Sequence, residues 1–277
     1  MNFQQFKNIS DKFSNTVPMP VLFVGHGSPM NAIQENSFTK EWAKLRYVLP
    51  KPNAILCISA HWLSRGTFVT AMEKPKTIHD FYGFPKELEM VQYPATGSPE
   101  LADLVIENAT STVGKDESEW GLDHGSWSVL KHIYPEADIP VVEVSIDYTK
   151  NLQWHYDFAK ELSALRSKGV LIVGSGNIVH NLGMINWRMP HEGFDWALEA
   201  DDLLKNLIQK DNSKAIIDYQ KLNAAVQYAI PSPDHYIPML YSMALRDANE
   251  NISFFNEQTV MGSISMTSFM LGNDLIA

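Results

Sequence analysis

Short apolar runs alternate with longer amphipathic segments along most of the chain. Runs rich in β-branched residues, typical of buried strands covered on both faces, lie at 20–24, 54–59, 139–146 and 170–173. Apolar residues spaced three and four apart predict helices at 101–108, 126–133, 152–167 and 196–209. This alternation predicts an α/β fold with a central, mostly parallel or mixed sheet and helices on both faces.

The C-terminal part of the chain has a different pattern. A helix is predicted near residues 236–248, followed by two late strands, 252–256 and 260–271, which can pair antiparallel at the sheet edge. The 277 residues contain no internal repeat and no linker-like segment. We therefore predict an N-terminal tail over residues 1–16 and one domain over residues 17–277.

Charge and composition narrow the classes of partner. The formal net charge is −10, and Lys and Arg form no large cluster, so we expect neither nucleic acid nor an anionic membrane surface as a partner. Cys57 is the only cysteine, so no intrachain disulfide can form. The polar N-terminus lacks the apolar core of a signal peptide, and no apolar run is long enough to span a bilayer. We expect a cytoplasmic monomer or small homo-oligomer.

Histidines stand at or soon after the ends of predicted strands, bracketed by small residues. His26 follows the first strand, His61 follows the second, and His180 lies beyond the strand that ends near Gly174. His235 stands in a proline-rich turn before the late helix. Strand ends bring side chains to one cleft, and imidazole nitrogen is the commonest protein ligand for zinc, iron and nickel. We interpret these four histidines as one metal centre.

Each of these residues also has a simpler interpretation. His26 can be a turn histidine that caps a strand, since most histidines are neither ligands nor catalysts. Cys57 can be a further ligand or a small core residue. The glycines of Gly174-Ser175-Gly176 can cradle a phosphate, but they lack the third glycine of a dinucleotide fingerprint and the lysine of a P-loop.

A fifth histidine and an aromatic segment complete the candidate site. His124 lies either at the start of a helix capped by Asp123 or Ser126, or at the cleft rim as a donor to an anionic oxygen. Residues 78–85 contain an unusual number of aromatic side chains for a solvated loop. They are either pinned to the core or wall the pocket, in which case substrate contacts come from His79, Tyr82, Phe84 and His124.

Six strings in this order resemble the 4,5-DOPA extradiol dioxygenase family, a branch of the class III extradiol ring-cleavage dioxygenases. The resemblance runs from about Val17 to the C-terminus, and six ordered motifs are far more specific than any single one. The strings are His26-Gly27-Ser28-Pro29, Ser59-Ala60-His61-Trp62, residues 78–85 (IHDFYGFP), Asp123-His124-Gly125-Ser126-Trp127, residues 174–182 (GSGNIVHNL) and Asp234-His235-Tyr236.

The resemblance implies a single catalytic α/β domain with a mononuclear metal at one end of the sheet. It implies that a catechol of the DOPA type is cleaved with O2. The family's motifs place metal ligands at His26, His61 and His235. His180 matches the acid/base position of the wider class and can also approach the metal as a ligand, whereas His124 matches a second histidine of the substrate pocket.

One departure from the wider class bears on the metal. Relatives that cleave protocatechuate complete their iron site with a glutamate, whereas this chain offers His235, preceded by Asp234. An all-imidazole site suits Zn(II) as well as Fe(II), but zinc has no redox chemistry. We therefore expect one divalent ion, Zn(II) in the protein as isolated and Fe(II) for dioxygenase activity. A zinc-dependent hydrolase and a non-catalytic metal- or ligand-binding protein are the alternative functions.

Overall fold

A computed structural model of the chain describes residues 13–272. Its centre is a six-stranded sheet in the order β11-β14-β1-β10-β2-β8. These strands are β1 (Val21–Gly25), β2 (Ala54–Ser59), β8 (Val141–Glu143), β10 (Val170–Gly176), β11 (Asn251–Phe255) and β14 (Ser268–Gly272). Four neighbouring strands, β1, β10, β2 and β8, run parallel. At the other side of the sheet, β14 pairs antiparallel with β1, and β11 pairs antiparallel with β14. The predicted mixed α/β fold is confirmed.

Helices cover both faces of this sheet. They are α1 (Ser37–Val48), α2 (Lys86–Glu89), α3 (Pro99–Asn108), α4 (His124–Ile133), α5 (Leu152–Glu161), α6 (Asp195–Gln209), α7 (Ser213–Ile217), α8 (Ala224–Ala229) and α9 (Ile237–Ala244). Alternate residues of β1 point into separate cores: Val21 and Phe23 pack with residues of α5 and α9, and Leu22 and Val24 pack with residues of α1 and α4. Strands buried on both faces are typical of a parallel sheet between helices.

Eight short strands form small ladders around the main sheet. They are β3 (Leu63–Ser64), β4 (Thr67–Thr70), β5 (Lys76–Thr77), β6 (Val113–Asp116), β7 (Gly121–Leu122), β9 (Ile146–Asp147), β12 (Thr259–Val260) and β13 (Ile264–Ser265). Three of the ladders (β3 with β9, β4 with β6 and β5 with β7) are parallel, and that of β12 with β13 is antiparallel. Two of them, β4 and β6, have four residues, and the other six have two. Strands this short leave no clear periodic pattern in a sequence, so β3 to β7 were not predicted, whereas β9, β12 and β13 fall wholly or partly inside longer predicted strands.

Three predicted elements are divided in the structure. The predicted strand 139–146 is wrong as one piece, because β8 pairs with β2 and the chain then leaves the sheet so that β9 pairs with β3. The predicted strand 260–271 is also wrong as one piece, because positive φ angles at Met261 and Gly262 turn the chain between β12 and β13. The helix predicted at 152–167 ends at Glu161, and a 3-10 helix, Ser163–Lys168, continues from it.

The start of the described chain packs on the domain. Phe13 is buried in the core, and the backbone NH of Thr16 donates to the carbonyl of Ser167 at 2.8 Å. Most of the predicted tail, residues 1–12, lies outside the described residues, so the proposed division of the chain at residue 16 stays a prediction. Between residues 13 and 272, no helix is both long and apolar enough to cross a bilayer.

Candidate metal centre and active site

Histidines follow the carboxyl ends of three parallel strands and so lie at the same end of the sheet. His26 directly follows β1, His61 comes two residues after β2, and His180 comes four residues after β10. In the sheet β10 lies between β1 and β2, so the carboxyl ends of all three strands are adjacent. In open α/β sheets, ligands bind outside the carboxyl ends of the strands.

The fourth histidine, His235, can approach the sheet because residue 176 is a glycine. The Gly176 Cα lies so close to the His235 carbonyl that an added Cβ would meet this oxygen at 2.2 Å. The backbone NH of Asn177 donates to the same carbonyl at 2.9 Å. A side chain at position 176 would therefore push the loop of His235 away from the sheet.

His26, His61 and His235 form a nearly regular triangle. Their ring centres are separated by 5.0 Å (His26 to His61), 5.3 Å (His26 to His235) and 5.0 Å (His61 to His235). Imidazoles that share one ion through bonds of about 2.0–2.1 Å have ring centres roughly 5 Å apart. The Nε2 atoms of His26 and His61 lie 3.1 Å apart, which is less than twice such a bond. The donor set therefore fits one divalent metal ion.

Neighbouring groups hold the outer nitrogen of each of these rings. The Ser175 hydroxyl donates to the Gly125 carbonyl at 2.5 Å, which leaves its oxygen to accept from His26 Nδ1 at 2.9 Å. His235 Nδ1 lies 2.5 Å from Asp234 Oδ2, and His61 Nδ1 lies 3.3 Å from Asp80 Oδ2. Such partners at Nδ1 leave the Nε2 lone pair for a metal, as is usual for metal-binding histidines.

Asp80 links His61 to His124. One carboxylate oxygen accepts from the His124 backbone NH at 2.9 Å, and the other accepts from His124 Nδ1 at 2.9 Å. Burial raises the pKa of Asp80, but the hydrogen bonds and charge of His124 outweigh it and lower the pKa below its usual range. Asp80 therefore stays ionised and fixes the ring of His124 with Nε2 toward the cavity.

His180 is held differently. Its ring stacks on that of His235 with centres 3.5 Å apart and planes 9° apart, and within residues 13–272 no hydrogen bond to its ring nitrogens forms. Burial lowers the pKa of His180 to about 3, and His235 adds to the shift. Two rings stacked this closely do not have the separation of two ligands on one ion. The ligand atoms of His180, Asp234 and His235 nevertheless lie within 4.8 Å of one another, as do those of His26, His61 and His124.

The shifted pKa values of the groups around the three histidines favour binding of a cation. Burial, followed by neighbouring histidines, lowers the pKa of both His26 and His61 well below the usual value. Burial raises the pKa of Asp234, but the hydrogen bond from His235 lowers it much further, so this carboxylate is charged. Neutral imidazoles next to ionised carboxylates are the protonation states that metal binding requires.

The histidines open into a cavity of about 290 Å³ with mostly apolar walls. From the predicted aromatic segment, Tyr82 and Phe84 line it, and so does Phe81, whose ring meets that of His124 edge-on at 5.6 Å. His79 is not among the lining residues, because its Nε2 lies 2.9 Å from the Val91 carbonyl. Further apolar lining residues are Leu182, Ile185, Trp187, Met261 and Ile264.

Behind His61 and His124 lies a buried carboxylate pair that the sequence analysis missed. Asp123 caps α4, as one interpretation of the sequence had it, and accepts from the Ser59 hydroxyl at 2.6 Å. Glu143 accepts from the Asp123 backbone NH at 3.0 Å and from the Ser126 hydroxyl. Burial raises the pKa of Asp123 to about 6 and raises that of Glu143 well above its usual value.

The three groups that hold the histidines also were not predicted. Asp80 and Asp234 adjoin predicted site residues in sequence, and this adjacency was the available signal. Ser175 lies in the glycine-rich segment for which a phosphate cradle is one interpretation of the sequence, but this segment forms the end of β10. Cys57 is fully buried within β2 and packs in the apolar core on the side of α1 and α4.

Comparison with known proteins identifies the family. Residues 16–268 match the family model described as the catalytic LigB subunit of aromatic ring-opening dioxygenase. The chain belongs to this family. The predicted family and the predicted activity, an extradiol ring-cleaving dioxygenase, are confirmed.

Individual proteins that are similar to this chain over most of its length support the same family. A 4,5-DOPA dioxygenase extradiol of Escherichia coli K12 is 43% identical over 268 residues, which cover 95% of this chain and 98% of the relative. One from Beta vulgaris is 34% identical over 258 residues, covering 90% and 94%. The crystal structure of an uncharacterized protein from E. coli K12 superposes with a TM-score of 0.81 at 40% identity, covering 92% of this chain and all of the other.

Proposed function

We propose that this LigB-type dioxygenase opens the ring of a catechol at a single divalent metal ion held by His26, His61 and His235. The observation that carries the proposal is the triangle of these three rings, with separations of 5.0, 5.3 and 5.0 Å, at the bottom of an apolar cavity. Ser175, Asp80 and Asp234 hold the outer nitrogens and so direct each Nε2 inward.

Fe(II) is the proposed active metal. When bound, it supplies a redox-active centre through which a catecholate can reduce dioxygen, which zinc cannot do. The three imidazoles are neutral donors, so a bound ion retains its full positive charge and favours a doubly ionised catechol. Zn(II) fits the same donors, and we propose it as the metal of an isolated but inactive protein.

His180 and His124 are the proposed proton-handling groups. No hydrogen bond holds the ring of His180 within the described chain, so a ring nitrogen can accept a proton from a catechol hydroxyl and return it during ring opening. His124 stands on the other side of His61, with ring centres 3.9 Å apart. When it carries a proton on Nε2, it can stabilise negative charge that develops on an oxygen atom.

The aromatic side chains have a separate proposed role. Phe81 packs against Phe84 with ring centres 5.4 Å apart, and both line the cavity together with Tyr82. An apolar wall at this place excludes water from the reacting oxygen atoms and so suppresses side reactions. We keep Tyr82, Phe84 and His124 as proposed substrate contacts, whereas His79 would act only by supporting Phe81, which it meets edge-on at 5.8 Å.

The first test is anaerobic reconstitution with Fe(II), followed by admission of oxygen with a panel of catechols. DOPA belongs in the panel because the relatives' names contain it. We expect one O2 consumed per ring opened and a yellow semialdehyde product, which for DOPA cyclises. Zn(II)-loaded protein is expected to consume no oxygen. Hydrolytic activity with Zn(II) under anaerobic conditions would instead support a zinc hydrolase.

A further inference from the structure

We infer that Glu143 is a positioning residue that fixes the spacing of His61 and His124, although it is not among the residues that line the cavity. This inference rests on the proposed function, because it takes His61 as a metal ligand and His124 as the group that stabilises the oxyanion. Glu143 ends β8, the fourth parallel strand, whereas histidines follow the carboxyl ends of the other three. The fourth strand thus brings a fully buried carboxyl group to the same end of the sheet.

Glu143 holds the first turn of α4. Its Oε1 atom accepts from the Asp123 backbone NH at 3.0 Å and from the Ser126 hydroxyl. Its Oε2 atom accepts from Trp120 Nε1 at 3.2 Å. The backbone NH of Glu143 donates to the Thr70 hydroxyl at 2.8 Å, so the end of β8 is itself held by a neighbouring strand. The helix therefore begins at a fixed place relative to the sheet.

The first turn of α4 also contacts the segment that carries His61. The Asp123 side chain accepts from the Ser59 hydroxyl at 2.6 Å, and the oxygen of this hydroxyl accepts from the His61 backbone NH at 3.3 Å. A Cβ added to Gly125 would meet Cδ2 of the His61 ring at 2.9 Å, so helix and ring are closely packed. A displacement of the helix start would therefore move His61.

Two stacked tryptophans form a second connection to the same segment. The Trp120 ring, whose Nε1 donates to Glu143, lies parallel to the Trp62 ring, with centres 5.6 Å apart and planes 4° apart. Trp62 is buried and directly follows His61. The chain is thus held before His61 through Ser59 and after it through Trp62.

The distance that this network sets matters for the proposed chemistry. His124 is the first residue of α4, and its ring centre lies 3.9 Å from that of His61. A displacement of about 1 Å between reacting groups can lower a rate by roughly 10²-fold. Without the Glu143 carboxyl group, the buried Asp123 NH would lose its acceptor, which destabilises the helix start.

Two substitutions of Glu143 test this role. Glu143→Leu keeps the size of the side chain and removes both acceptors, so the kcat of Fe(II)-loaded protein with DOPA should fall by about 10–100-fold. Its Kd for Zn(II), measured by competition with a chromophoric chelator, should rise about ten-fold. The KM should stay unchanged, because Glu143 does not line the cavity. Glu143→Gln keeps a carbonyl oxygen for the first turn of α4 and should recover most of both losses.

Glu250→Gln is the matched control. Glu250 is also a buried glutamate; it accepts from Arg166 and from the Asp247 backbone NH at 2.9 Å, and it does not line the cavity. This variant should lower the Tm, because it breaks a buried ion pair, but leave kcat and the Zn(II) affinity unchanged. Ser126→Ala removes one donor to Glu143 and serves if Glu143→Leu does not fold. It should lower kcat several-fold at unchanged KM, and a wild-type kcat in it would contradict the inference.

The outcomes separate the inference from the proposed function. Wild-type kcat and Zn(II) affinity in Glu143→Leu, at a lowered Tm, would show a purely structural role and overturn the inference. Losses in Glu143→Gln or Glu250→Gln as large as those in Glu143→Leu would also overturn it. If the wild-type Fe(II) protein opens no ring in oxygen, the proposed function fails, and the Zn(II) affinities of the same variants decide the inference.

Discussion

The two histidine walls of the cavity are built differently. On the first, His26, His61 and His124 each have Nδ1 next to a side chain of the protein, which is Ser175 for His26 and Asp80 for the other two. On the second, Asp234 holds His235, while His180 stacks on His235 and its ring nitrogens form no hydrogen bond within residues 13–272. A ring held at Nδ1 suits a fixed metal contact, whereas a ring without such a partner can take up and release a proton.

The same comparison distinguishes His124 from His180. His124 is held by Asp80 through both its backbone and its ring, so it is fixed in orientation although its centre lies only 3.9 Å from that of His61. His180 is fixed by stacking alone. We therefore propose that His180 carries the mobile proton and that His124 stabilises the oxyanion, and variants of His180 and Asp80 test this division.

The largest effect is expected for His26→Ala. Loss of one of three imidazole ligands should reduce bound metal to the background level and abolish ring opening, because metal binding requires the complete donor set. Metal analysis and oxygen uptake measure both effects. His191→Ala serves as the control, since His191 is exposed and outside the cavity. If His26→Ala still binds one ion per chain, His26 is not a required ligand and the proposed set of three ligands is wrong.

His180→Gln should lower turnover by roughly 10²–10⁴-fold, the usual contribution of a general acid or base, and should leave the metal content unchanged. Single-turnover kinetics with Fe(II) protein and metal analysis of the same samples separate the two properties. Clear loss of metal from this variant would show that His180 is a ligand and would move the proton-transfer role to His124.

Asp80→Asn and Asp234→Asn compare the two walls directly. Removing a partner that holds a ligand histidine typically lowers metal affinity by about 10–100-fold, so we expect losses of this size in both variants. Only Asp80→Asn should also lower the turnover of fully metal-loaded protein, because Asp80 alone orients His124. Equal turnover in the two loaded variants would argue against a separate role for His124.

The smallest effects are expected in the aromatic segment. Phe84→Ala should weaken catechol binding several-fold and release some hydrogen peroxide without ring opening, since it removes part of the wall that excludes water. Tyr82→Ala should have a weaker effect, because Tyr82 is 93% exposed although it lines the cavity. Both variants should keep their metal. Wild-type affinity and coupling in both would show that the segment is only scaffold.

Sequence patterns predicted the elements that bury apolar surface with a clear period. The strand at 54–59 has the predicted ends, and β11 and β14 pair antiparallel at the edge as expected. The short ladders and the turn at Met261 and Gly262 depend on local backbone geometry and on long-range pairing, which periodicity does not report. The long predicted strand at 260–271 failed for this reason.

The histidines were predictable, but their partners were not. Strand-end position indicated His26, His61 and His180, and family resemblance indicated these three together with His235. That Ser175 lies beside His26 depends on the register of β1 with β10, and that Asp80 reaches both His61 and His124 depends on how a distant loop folds over α4. Such contacts between distant segments require the three-dimensional arrangement.

A crystal structure of the metal-loaded protein, with anomalous diffraction recorded at the metal absorption edge, tests the central claim most directly. We predict one ion, with the Nε2 atoms of His26, His61 and His235 about 2.0–2.2 Å away and with neither His124 nor His180 bonded to it. An ion bound by His26, His61 and His124, with His235 beyond bonding distance, would contradict the claim.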